Sequence, residues 1–71
     1  MTLNIIEKLV SDQKMTWSDF ARKCNVPRQA AINYRFTQRP DVATVARVAA
    51  ALDVEPSTLV DGNGYWKQVE G

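Results

Sequence analysis

Arg28, Gln29, Ile32 and Asn33 fall within one short stretch, RQAAIN, and their types and spacing suit one kind of chemistry. Arginine can donate two parallel hydrogen bonds to a guanine edge, and glutamine or asparagine can pair bidentately with adenine. An aliphatic side chain such as Ile32 can meet a thymine methyl group. At about 100° per residue, Arg28, Gln29, Ile32, Asn33 and Phe36 lie on one side of a helix, with Arg35 at its flank. Pro27, Ala31 and Tyr34 lie on the opposite side, with Ala30 at its edge. A blander reading stays open for each: Arg28, Gln29 and Asn33 as ordinary solvated positions, and Ile32 folded over the edge of a core.

For that face to meet a duplex, its back must be pinned by a neighbour. The segment TWSDFARKCNVPRQAAINYRF, Thr16 to Phe36, reads as two short helices joined by a tight turn, one at about 17–24 and the reading helix at about 27–36. Thr16, with Asp19 three residues on, gives a capping-box-like start. Phe20, Ala21 and Cys24 point inward, and Asn25 suits the left-handed conformation of a turn. Pro27 suits the first turn of the next helix, since its missing N–H would have no partner there. Ala21 and Ala31 are small enough for the two helices to cross closely. Around this unit, Thr16, Trp17, Arg35, Thr37, Gln38 and Arg39 are candidates for phosphate contact, which sets register without reading sequence. Trp17 equally suits packing against the first or the reading helix.

The flanking elements extend the helical pattern. Ile5, Ile6, Leu9 and Val10 form an apolar stripe that predicts a helix from about Leu3 to Gln13. Arg39-Pro40 breaks the connection after the reading helix. Asp41 then caps VATVARVAAAL, with Val45, Val48, Ala49 and Leu52 inward. Pro56 opens a short fifth helix with Leu59, and Asp61-Gly62-Asn63-Gly64 ends it. The tail YWKQV alternates loosely as a strand would, but no preceding strand is evident for it to pair with. The expectation is an all-α, compact five-helix domain over residues 1–61 with a short tail at 62–71.

Composition narrows the function. A chain of 71 residues, 45% apolar and with net charge +1, reads as one small folded domain. Residues 14–39 carry Lys14, Arg22, Lys23, Arg28, Arg35 and Arg39 against Asp19 alone, a local balance of +5, while residues 40–71 balance to −3. The positive charge sits on the two-helix segment, although chance clustering on a solvated face would look the same. There is no histidine and a single cysteine, Cys24, so zinc clusters, disulfide frameworks and histidine-dependent catalysis are out of reach. Without inward carboxylate pairs or a glycine-rich phosphate loop, nothing is left to carry catalysis. No metal, cofactor or small-molecule ligand is implied. With no signal-peptide pattern and no long apolar run, a soluble cytoplasmic protein is expected.

Phe20-Ala21, the turn Cys24-Asn25-Val26, the inward Ala31 and Tyr34, and VATVARVAAALDVEPSTL resemble the Cro and repressor (lambda-repressor-like) helix-turn-helix family. The resemblance covers roughly residues 3–61. It implies that Arg28, Gln29 and Asn33 fall where family members touch bases. Trp17 stands where a glutamine often contacts phosphate, Asn25 where glycine is usual, and Pro27 where a capping serine is common. Arg35 and Thr37 replace a frequent glutamate and glycine. The expected function is a sequence-specific DNA-binding regulator, chiefly a repressor, whose partners are double-stranded DNA and a second copy of itself on a palindromic operator. The resemblance implies a dimer contact near the fifth helix and tail, where Tyr65 and Trp66 either anchor the partner or pack on their own domain. A protein-interaction module, or an antitoxin-type protein that also binds a partner, is the alternative on the same fold.

Overall fold

The structure is a computed structural model that describes residues 2–70. Its elements are β1 (Thr2–Asn4), α1 (Ile5–Asp12), α2 (Trp17–Cys24), α3 (Arg28–Tyr34), α4 (Val42–Leu52), α5 (Pro56–Leu59) and β2 (Gln68–Glu70). The division expected at 1–61 and 62–71 begins and ends on residues outside the described ones.

Local side-chain chemistry sets the helix starts. The Asn4 Oδ1 accepts from the Ile6 N–H at 2.8 Å, and the Asp41 Oδ1 accepts from the Thr44 N–H at 2.7 Å. At α2 the capping box is complete: the Thr16 hydroxyl accepts from the Asp19 N–H at 3.0 Å and the Asp19 carboxylate accepts from the Thr16 N–H at 3.3 Å. The Thr16 backbone N–H, and after it Arg22, hold the Asp19 carboxyl below its ordinary range; hydrogen bonds from Thr44 do the same for Asp41. The ends of α2 and α4 use left-handed residues without glycine, Asn25 at φ 59° and Asp53 at φ 57°. In each case the next N–H closes the turn, Val26 to the Ala21 carbonyl at 3.1 Å and Val54 to the Ala49 carbonyl at 3.0 Å.

The core is built on Phe20, Ile6, Leu52, Leu59, Val48 and Cys24, all fully buried. Helix α2 lies at its centre and packs against both α3 and α4. Ala21 and Ala31 are 3% and 0% exposed, which lets α2 and α3 cross closely. Ala31→Leu therefore overpacks the crossing and lowers stability by about 1–3 kcal/mol, read as a fall in the urea midpoint. An unchanged midpoint would show that the crossing has room to spare.

The all-α expectation is corrected by the two ends of the chain. β1 pairs antiparallel with β2, with Thr2 opposite Glu70, Leu3 opposite Val69 and Asn4 opposite Gln68. The Ile5 N–H extends the ladder to the Lys67 carbonyl at 2.9 Å. Upstream, Asp61 organises the turn: its Oδ1 accepts from the N–H groups of Asn63 at 2.8 Å and Tyr65 at 3.1 Å. That turn returns the chain so that Trp66 bridges to Val60 and the Lys67 N–H reaches the Leu59 carbonyl at 2.8 Å. Trp66, in the segment set apart as a tail, is 3% exposed and belongs to the core. The fold is thus predominantly helical with a two-stranded antiparallel ribbon. The first helix was expected to start at about Leu3, but Asn4 caps it and leaves Leu3 in β1. Among the described residues, no helix is long and apolar enough to cross a membrane.

Candidate nucleic-acid interface

Helices α2 and α3 and the Asn25 turn between them place the sequence-selected residues. Pro27 lies one position earlier than expected: it is the N-cap, at φ −61° and ψ 151°, and α3 begins at Arg28. The helix ends at Tyr34 rather than Phe36, although a tighter turn follows, in which the Phe36 N–H donates to the Asn33 carbonyl at 2.9 Å.

Arg28, Gln29 and Asn33 are exposed on α3, and Ile32 beside them is half-buried. The Gln29 Nε2 donates to the Asn33 Oδ1 at 3.0 Å, so these i and i+4 amides form a unit. The bond leaves the Gln29 carbonyl oxygen and the Asn33 NH₂ uncommitted, one acceptor and one donor group, which is the combination an adenine edge complements. Arg28 makes no ion pair with another described residue. Its five donors stay uncommitted, as bidentate recognition requires.

The six residues selected for phosphate contact separate into two groups. Thr16, Thr37, Gln38 and Arg39 are exposed. The Thr16 hydroxyl oxygen is engaged in the cap, but its proton is still available to an acceptor. Trp17 and Arg35 are half-buried and turn to each other, with the Arg35 guanidinium 5.4 Å from the Trp17 ring centroid. Trp17 also meets Phe20 edge-on, with centroids 5.8 Å apart and planes at 78°.

Arg35 is the joint of this region. Its Nη1 lies 3.6 Å from a Glu7 carboxylate oxygen on α1, and its guanidinium carbon is 4.7 Å from the Phe36 ring centroid. Its carbonyl accepts from the Asn4 Nδ2 at 3.2 Å. Arg35 thereby ties the end of α3 to α1 and to the start of α2, and its charge is already partnered. Sequence reasoning missed this role, because Glu7 and Arg35 are distant in the chain and carry no local signal of pairing. It placed Phe36 on the outward side without assigning it a base or phosphate contact, and the ring is 68% exposed.

Burial raises the Cys24 thiol to about 11, which keeps it protonated and poorly nucleophilic at neutral pH. Among the described residues, no group of three or more metal-ligating side chains comes together. Comparison of the chain with protein-family models, curated proteins and solved structures gives no match.

Proposed function

We propose that this protein is a sequence-specific DNA-binding transcriptional regulator, a repressor that acts in the cytoplasm as a homodimer on a palindromic operator and performs no catalysis. One observation carries the reading: a short helix is pinned by Ala31 against α2 while Arg28, Gln29 and Asn33 stand free on its far side. In the major groove such an edge meets the donors and acceptors that distinguish base pairs. Thr16, Thr37, Gln38 and Arg39 flank it with phosphate donors. The resemblance to Cro and repressor proteins points the same way.

One α3 contacts few base pairs, so useful specificity calls for two copies. A groove of ≈ 280 Å³ beside α4 suits the contact, with Pro40, Val45, Pro56 and Val60 in its walls and Val42, 85% exposed, at its side. No charged side chain lines it. A two-fold contact brings each residue close to its own mate, so a charge-free centre avoids self-repulsion.

Binding to random-sequence duplex DNA as a function of salt tests the electrostatic part. The log–log slope falls by about 0.9 per neutralised phosphate. Arg39→Ala weakens binding to all sequences alike and makes the slope shallower by about 1. A changed base preference in that variant would assign Arg39 to base reading instead. The exposed Phe36 and Val42 favour a second reading, a protein-interaction or antitoxin-type module. A slope near zero selects that reading over the first.

A further inference from the structure

We propose that Phe36 reads sequence by packing its ring against the 5-methyl group of a thymine; the proposal rests on the DNA-binding reading and adds a contact to it. Phe36 lies beyond the last residue of α3, yet the backbone stays helical there. Arg35 has φ −67° and ψ −20°, and the Phe36 N–H bonds the Asn33 carbonyl. Seven residues after Gln29, its side chain points within about 20° of the Gln29 direction. The ring therefore extends the Gln29–Asn33 stripe by one turn.

The ring is also held in place. The Arg35 guanidinium lies 4.7 Å from its centroid, and Glu7 and Trp17 position that guanidinium in turn. The phenyl ring is 68% exposed, so it is open to an approaching apolar group. It cannot exchange hydrogen bonds with base edges, and the apolar feature that the major groove offers is the thymine C5-methyl. Ile32 and Phe36, four residues apart, then form two neighbouring apolar contacts on one face.

Exchange of thymine for uracil isolates this contact, because it removes the methyl and keeps every hydrogen-bonding group. The probe is the duplex that wild-type protein enriches from a random pool, resynthesised with deoxyuridine at one thymine at a time. For wild type, affinity falls by about fourfold at one position of each half-site, the effect of unburying one methyl. Phe36→Ala, which loses the contact in both subunits, binds the thymine duplex about 16-fold more weakly and shows no further loss with uracil at that position. Ile32→Ala retains the uracil effect there. The exposed position lets Phe36→Ala keep its urea midpoint, which the same protein sample verifies. If wild type binds its duplex but no uracil effect disappears in Phe36→Ala, Phe36 reads no methyl and the regulator reading stands. If no duplex is enriched, both fall together.

Discussion

Phe20→Ala lowers the unfolding free energy by about 3–5 kcal/mol, the usual effect of removing a fully buried aromatic side chain. Phe20 is 0% exposed and lies on α2, the helix that packs against both α3 and α4. It also supports the Trp17 indole edge-on, so its loss loosens the Arg35 joint above it. At about 0.05–0.15 kcal/mol per residue, a domain of this size has roughly 4–11 kcal/mol in hand. The substitution removes about a quarter or more of that and moves the urea midpoint down accordingly. Urea unfolding followed by tryptophan fluorescence reads the change, with Lys23→Ala, at an exposed position of α2, as a control that leaves the midpoint in place. A loss below about 1 kcal/mol would mean that the core is centred elsewhere and that α3 is not held by α2 in the way described.

Replacing Arg28 and Gln29 together by alanine removes most of the discrimination between the operator and a scrambled duplex. Each bidentate base contact is worth about 1–3 kcal/mol, so the pair contributes roughly 2–6 kcal/mol of preference. That corresponds to a 30-fold to about 10⁴-fold loss of specific affinity. The two effects are not strictly additive, because Gln29 holds Asn33 through the 3.0 Å amide bond and its loss frees that side chain as well. Binding to scrambled DNA falls far less, since only the single Arg28 charge is removed from its electrostatics. Competition between the two duplexes separates the cases. An equal loss on both would make Arg28 and Gln29 general anchors rather than readers.

The parts of this protein that were legible in its sequence are those whose causes are local. Helix α4 runs over Val42–Leu52 as read, because the Asp41 cap and the Val45, Val48, Ala49, Leu52 stripe are both short-range signals. The left-handed turn at Asn25 was legible for the same reason. The ribbon was not. Its strands are three residues each and lie at opposite ends of the chain, so neither has a neighbour in sequence to reveal it. The tail's alternation was visible, but its partner was hidden inside the apolar pattern of the first helix. Within the candidate interface, side-chain direction on α3 followed from helical periodicity alone. What periodicity could not supply was the competition for Arg35. Its flank position suggested a phosphate contact, and only the fold brings Glu7, Trp17 and Phe36 around it.

The reading of DNA by the exposed face of α3 is the claim on which the rest depends, and enrichment of duplexes from a random-sequence pool tests it most directly. Wild-type protein is expected to enrich a two-fold symmetric site. Arg28→Ala is expected to recover the same site with one base pair of each half relaxed. A pool that stays random for wild type, or an identical site recovered at equal stringency by Arg28→Ala, would contradict the account.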